Sequence, residues 1–181
     1  GEKGSMWKRA LKEENIRIGW GRVVGDIYEQ NNFKDEFILN KLDEHYLKQD
    51  TRQTNNKTSI RSFLVEVNTG DAVFAVSGTS DIIGFGVVTS DTELDEEDDE
   101  YRALHNVDWL IDLSKKPYKP NYGLPIKTVT KLDSNSSIAK ISSIFNFTPS
   151  PNTQTMDLPF LNTILYGPPG TGKTFELNKY K

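Results

Sequence analysis

Gly167-Pro168-Pro169-Gly170-Thr171-Gly172-Lys173-Thr174 is the clearest stretch of chemistry in this sequence. It fits G-x-x-x-x-G-K-[ST], in which backbone N–H groups curl around a polyphosphate, Lys173 reaches the outer phosphates and the Thr174 hydroxyl takes a place on Mg²⁺. The apolar run at 161–166 suits a buried strand, and residues 174–180 lack Gly and Pro, as the opening of a helix should. Hydrolysis also needs an acidic strand and a parallel sheet packed around the loop. Only seven residues follow Thr174. The expectation is therefore the leading edge of a nucleotide-binding domain. GTP or ATP with Mg²⁺ belongs to a longer parent, and this chain itself is expected to be neither catalytic nor cofactor-bearing.

The elements upstream must account for the rest of the 181 residues, a length that suits one ordinary domain with something appended. A hydrophobic content of 35% and an aromatic content of 10% supply enough apolar surface for a core. Cysteine is absent, which excludes disulfides and Cys-based zinc sites and fits a cytoplasmic setting. No stretch approaches the length of a membrane span, and no secretory signal opens the chain. His45 and His105 lie far apart in sequence with no ligand cluster beside them, so both read as ordinary surface or core residues. The net charge of −4 is unevenly spread: eight of the ten residues from 91 to 100 are acidic. Without that run, 22 basic residues face 18 acidic ones, so the remaining surface is mildly basic. The run itself reads as a solvated, mobile insertion between strands, and it lacks the spacing and glycine of an EF-hand.

Along the chain, the patterns predict helices over 6–14, 35–48, 59–65 and 136–147. They predict strands over 16–20, 71–76, 81–89, 107–111, 126–132 and 161–166, with 77–80 as a hairpin turn. Gly84 and Gly86 lie two apart and so face one side of their strand. Glycine inside a strand marks a bend or a close approach to the backbone, which hints at a pocket. Residues 148–160, with their prolines and small polar residues, look like a linker. Five or six strands with short helices, not regularly alternating, suggest an α+β domain built as a small, curved, partly closed β-barrel.

Several stretches carry a resemblance: Gly1-Glu2 with Trp7, "IGW" at 18–20, "GDAVF" at 70–74, "IIGFGVV" at 82–88 and "VDW" at 107–109. Over residues 1–133 the sequence resembles the EVE domain, which belongs with YTH and PUA modules to a superfamily of β-barrel readers of modified or structured nucleic acid. "LNTILYGPPGTGKT" is similar to the start of the AAA+ motor of McrB-type restriction GTPases. The resemblance implies three parts: a modified-base-reading domain over 1–147, a linker over 148–160, and the start of an AAA+ domain over 161–181. It further implies a DNA partner carrying a modified base and, through the motor, a homo-oligomeric ring and a McrC-type nuclease subunit. No membrane partner is expected.

A reader of this kind needs an aromatic wall, groups for the base edge and cations for the backbone. Trp20 is the candidate wall, since Gly19 and Gly21 on either side free the backbone to present it and the family's pocket tryptophan falls at this kind of position; a core tryptophan is the alternative. Ser77, Gly78 and Thr79 are candidates for the base edge or an ordinary turn, Asp26 for an exocyclic amino group or a simple cap, and Gly84 and Gly86 for the pocket floor. Trp109 and Trp7 read as packing residues. Arg22, Lys57, Arg61, Arg102, Lys115, Lys116 and Lys119 are candidate phosphate contacts or simply solvated charges. An RNA reader of the same fold group and a protein-interaction domain remain competing readings.

Overall fold

The computed structural model describes residues 5–45, 50–120, 123–124, 127–132 and 163–167. The helix expected at 136–147, the linker at 148–160, and Pro168, Pro169, Gly170, Thr171, Gly172, Lys173 and Thr174 of the phosphate loop lie outside the described residues.

Helix α1 (Ser5–Glu13) buries Trp7 and Ala10, one turn apart, with Leu11 half-buried beside them. Glu14 ends it in the left-handed region at φ 53°, and its carbonyl accepts the Val107 N–H at 2.7 Å. Strand β1 (Asn15–Ile18) follows, buried at all four positions. The strand expected to reach Trp20 stops at Ile18, because the chain turns there into α2 (Gly21–Glu29), a helix the sequence pattern did not predict. Val23, Val24 and Ile27 of α2 are fully buried. Each of its glycines, Gly21 and Gly25, serves a close approach. A Cβ on Gly21 would lie 2.1 Å from the Asp99 carbonyl oxygen, and one on Gly25 would lie 2.5 Å from Arg102 Nη1.

Helix α3 (Asp35–His45) appears as expected, with Ile38 and Leu42 fully buried at four-residue spacing. Helix α4 (Asp50–Arg61) begins nine residues before the predicted start, and a π-helical turn, Ser62–Glu66, continues it and buries Phe63 and Leu64. His105 holds that turn: its Nε2 lies 2.9 Å from the Phe63 carbonyl and its ring meets the Phe63 ring at 4.8 Å. His105 is thus a core residue, one of the alternatives the sequence allowed.

Strands β2 (Ala72–Ser77) and β3 (Asp81–Val88) form the expected hairpin. After β4 (Glu93–Leu94), β5 (Ala103–Asp112), β6 (Val129–Leu132) and β7 (Thr163–Tyr166) complete a sheet ordered β1-β5-β3-β2-β7-β6, with β4 pairing with β5. All pairings are antiparallel except β2 with β7. Irregularities at Ala75/Val76 and Phe85/Gly86 interrupt the register, and such bulges bend a sheet. The result is a curled half-barrel with four helices among the described residues. A large apolar core lies between α2, α3, α4 and the sheet, including Ile16, Ile18, Phe63, Val73, Val107 and Ile164.

The curl brings β7 against β1. The Tyr166 hydroxyl accepts the Arg17 N–H at 3.2 Å and donates to the Arg17 carbonyl at 2.5 Å, so one phenol satisfies both backbone groups of an edge residue. Residues 163–166, read from the sequence as the strand before the phosphate loop, form β7 and pair with β2 and β6 in this sheet.

The acidic run departs in part from expectation. It is tied down at Asp95 and Asp98, while Asp91, Glu93, Glu96, Glu97, Asp99 and Glu100 remain exposed as expected. Arg17, 6% exposed, donates to Asp95 at 2.8 Å and to the Tyr101 carbonyl at 3.2 Å, with Glu13 at 3.3 Å and Asp98 at 3.6 Å. Arg9 meets Asp98 at 2.6 Å, and Arg102 pairs with Glu96. Asp98 also accepts the Glu100 and Tyr101 N–H groups, and the Glu100 carbonyl accepts the Gly21 N–H. The cause is Coulombic complementarity between groups more than 70 residues apart in several cases, which local spacing cannot show.

Candidate functional site

Trp20 stands where β1 ends and α2 begins, in the left-handed region at φ 64°, ψ 40°. A bulky residue in that region carries about 1–2 kcal/mol of strain and persists only where its surroundings enforce it. Two contacts enforce it here. The Trp20 carbonyl accepts the Val24 N–H at 3.0 Å, opening the helix, and Gly21 is pinned under the acidic loop. Gly19 is buried, while the Trp20 indole is half-buried, packed on the main core with part of its surface left to solvent.

Asp26 lies on the same helix, six residues on, or about 9 Å along the axis. It is already engaged: Oδ2 lies 3.1 Å from His45 Nε2 and 3.3 Å from Lys41 Nζ, which also meets Glu44 at 2.7 Å. Partial burial pushes the Asp26 carboxyl up, yet His45 and Lys41 outweigh it and hold it below the usual range. Asp26, Glu44 and His45 bring metal-ligating atoms within 4.8 Å of one another, a cluster that sequence spacing did not reveal. The Lys41 ammonium fills the cationic role there, so the group works as a bridge between α2 and α3.

The hairpin candidates sit elsewhere. Ile18 pairs with Ala103 at one end of β5, whereas Gly84 pairs with Asp112 at the other, and Ser77, Gly78 and Thr79 lie beyond Gly84. Nine residues of strand separate those ends, about 30 Å of rise. Trp20 and the 77–79 turn therefore do not line one pocket. Ser77, Gly78 and Thr79 are exposed, and the Thr79 carbonyl accepts the Leu124 N–H at 2.9 Å.

Gly84 and Gly86 do face one side and do admit a close approach, but the protein's own groups make it, the Trp7 indole over Gly84 and the β5 backbone with Val107 and Trp109 over Gly86. A Cβ on Gly84 would lie 2.1 Å from Trp7 Cη2, and one on Gly86 would lie 3.0 Å from Trp109 Cε3 and 2.6 Å from the Asp108 carbonyl oxygen. The two rings meet edge to face at 4.8 Å; Trp7 Nε1 donates to Asp112 Oδ1 and Trp109 Nε1 to the Ala10 carbonyl. The packing role expected for Trp7 and Trp109 holds, and it fills the hollow that the glycines had suggested.

The candidate phosphate contacts divide. Arg102 is committed to the acidic loop, Arg61 to Glu66 at 2.8 Å and Asp35 at 3.5 Å, Lys57 to Asp35 at 2.7 Å, and Lys119 lies 3.9 Å from Asp81. Arg22, Lys115 and Lys116 are exposed and form no ion pair among the described residues. Of the phosphate loop, Gly167 alone is described; its N–H donates to the Thr128 carbonyl at 2.9 Å, continuing β7.

A wide, open depression of about 510 Å³ lies at the far end of α2 from Trp20, bounded by Asn31, Asn32, Phe33, Lys34, Asp35 and Arg61. Sequence reasoning named only Arg61 among these. The missed signal was Asn-Asn-Phe-Lys, an amide pair, an aromatic ring and a cation in succession. A second, small and partly open space of about 10 Å³ between α1 and the sheet, lined by Trp7, Ala75 and Tyr166 among others, has room for no more than a water.

Residues 1–133 match the family described as a domain of unknown function, DUF8426. The chain belongs to the DUF8426 family. The DUF8426 match runs from α1 through β6, so Trp20, the acidic loop and the 31–35 depression fall within it and β7 falls outside it. No curated protein and no solved structure matches the chain. Among the described residues, no helix is long and apolar enough to cross a membrane.

Proposed function

We propose that this DUF8426 chain is the DNA-recognition module of a modification-dependent, McrBC-like restriction system, related to the EVE domain, and that it receives a modified base extruded against Trp20. The observation that carries the proposal is the half-buried indole held in a strained backbone conformation at a strand-to-helix junction. Strain of this kind concentrates where a side chain must be presented rather than merely packed. In the longer parent, GTP or ATP with Mg²⁺ would occupy the Gly167 to Thr174 loop, and a ring of motors would engage a McrC-type nuclease subunit.

The energetics set what Trp20 must do. Extruding a base costs a few kcal/mol, stacking on an aromatic wall returns about 1–3 kcal/mol, and one buried methyl adds only about 0.8 kcal/mol. Discrimination therefore rests on polar groups at the base edge or on several readers acting together in a ring. Asp26 is engaged by His45 and Lys41, and the 77–79 turn is remote, so the edge contacts fall to groups nearer Trp20. Arg22, exposed two residues on, is the nearest of the candidate phosphate contacts in sequence.

The protein-interaction reading rests on the acidic loop meeting a basic partner; Asp98, Asp95 and Glu96 are already paired with Arg9, Arg17 and Arg102, which lowers the charge left for such a partner to the loop's other, exposed carboxylates. The test is a titration of the chain against one duplex carrying 5-methylcytosine, 5-hydroxymethylcytosine or N6-methyladenine in turn, beside the unmodified duplex and matched RNA. Tighter binding to one modified duplex is expected. Equal binding to all DNA duplexes, or stronger binding to RNA, contradicts the proposal.

A further inference from the structure

We propose that the depression at the junction of α2, α3 and α4 binds an unpaired nucleotide, with Phe33 against the base, the Asn31 and Asn32 carboxamides at its edge, and Lys34 and Arg61 at its phosphate. This inference rests on the nucleic-acid reading and adds to it a second contact, at the opposite end of α2 from Trp20.

The volume of about 510 Å³ falls within the roughly 300–1,000 Å³ range of small-ligand sites. Its lining matches what a single-stranded nucleotide requires: a π surface, adaptable hydrogen-bonding groups and cations for the backbone. Phe33 is half-buried and braced by Tyr28, which meets it edge to face at 5.9 Å, so the ring is fixed without being sealed. Asn31 turns the chain out of α2 in the left-handed region at φ 47°, and its exposed carboxamide makes no hydrogen bond among the described residues. The Asn32 backbone N–H donates to the Ile27 carbonyl at 3.1 Å, and its Oδ1 accepts the Lys34 N–H at 3.3 Å. Those bonds orient the side chain and leave its amino group free among the described residues. An asparagine carboxamide offers a donor and an acceptor side by side, the arrangement that a base edge presents in complement.

The charge is favourable too. Lys34 forms no ion pair among the described residues, and Arg61, 44% exposed, is only partly neutralised by Glu66 and Asp35. Lys57 takes up much of Asp35 at 2.7 Å, which leaves the rim with net positive charge. Trp20 and Asn31 flank the ends of α2, eleven residues or about 16 Å apart along its axis, about five nucleotides at the 3.4 Å spacing of one strand. A strand that is unpaired over about five nucleotides and stacks one base on Trp20 can therefore lay another in this depression.

The experiment compares the chain with Lys34→Ala, Arg61→Ala and Trp20→Ala, using fluorescence anisotropy on a labelled single strand and on the duplex preferred in the titration above. Amide NMR on the same samples reports both the fold and the Asn31 and Asn32 side chains. Lys34→Ala is expected to weaken single-strand binding and lower the salt slope by about 1, and the Asn31 and Asn32 amide signals are expected to move as strand is added. If both surface variants keep parental affinity and slope and those signals stay still while Trp20→Ala weakens duplex binding, this second site is wrong and the base-reading proposal stands. If the parent binds neither strand nor duplex, both fall together.

Discussion

Around α1 and β1, Arg9, Arg17 and Arg102 each meet a carboxylate of the acidic loop, and the Arg17 backbone is closed by a single tyrosine hydroxyl. At the two ends of α2 the pattern reverses: Trp20 and Asn31 hold left-handed conformations, and Lys34 and the Asn31 carboxamide have no partner among the described residues. Arginine and aspartate, the residues most often linked with nucleic-acid or metal chemistry, are largely spent on holding the first region together. The second region holds left-handed conformations at Trp20 and Asn31 and exposed, unmatched polar groups, although the first also has a left-handed residue, Glu14, and a buried Arg102 Nε without a hydrogen-bond partner among the described residues. Much of the charge in the first region is engaged within the fold, whereas the second leaves exposed polar groups open to solvent.

That contrast breaks most severely at the indole pair. Trp7→Ala removes the ring that fills the space over Gly84 and is expected to cost about 3–5 kcal/mol, read as a large drop in the denaturation midpoint with an unchanged m-value. If Trp7 belonged to a ligand pocket instead, the same change would leave stability nearly intact. Tyr166→Phe is the next largest. It strands a buried N–H and a buried carbonyl at Arg17 and is expected to cost about 1–3 kcal/mol, measured by chemical denaturation, with no change in DNA affinity.

Acid sharpens the contrast. Arg17, and then the Glu97 N–H, hold the Asp95 carboxyl below its ordinary value. Burial pushes the Asp98 carboxyl up, but the Tyr101 N–H and Arg9 outweigh it and the net shift is also downward. Groups with lowered folded-state values contribute stability above the unfolded value of about 3.9 and lose it as pH falls through the lower folded value. Hydrogen exchange at Gly21, whose N–H donates to the Glu100 carbonyl, is therefore expected to accelerate below about pH 4, whereas the Asn32 amide, bonded to the Ile27 carbonyl, keeps its protection. Equal loss at both sites would remove the distinction. The smallest effect is Asp26→Asn, which loosens a partly exposed bridge to Lys41 and His45 and is expected to cost at most about 1 kcal/mol in a thermal melt. A loss of base selectivity in that variant would return Asp26 to the base-edge role.

The parts legible in the sequence were those with local apolar rhythm. Ile38 and Leu42 announced α3, the β-branched runs around Gly78 announced the hairpin, and Trp7 and Trp109 read as packing residues. Helix α2 was not predicted, since the strand was expected to run on to Trp20; Gly21 and Gly25 within it are small to admit Asp99 and Arg102 from the opposite side. The first turns of α4 carry few apolar residues to set a period. The anchoring of the acidic loop was invisible because Arg17 and Asp95 are distant in sequence. The candidate site was legible only at Trp20 and Arg61. Which candidates share a surface depends on the length of β5, which places the 77–79 turn far from Trp20.

The most direct test of the account is the ratio of affinities for the preferred modified duplex and its unmodified twin, measured for the parent and for Trp20→Ala. The expected result is a parent that favours the modified duplex and a folded variant that binds it roughly tenfold more weakly, consistent with the loss of one stacked base, at a ratio near one. A Trp20→Ala chain that binds as tightly and as selectively as the parent would contradict it.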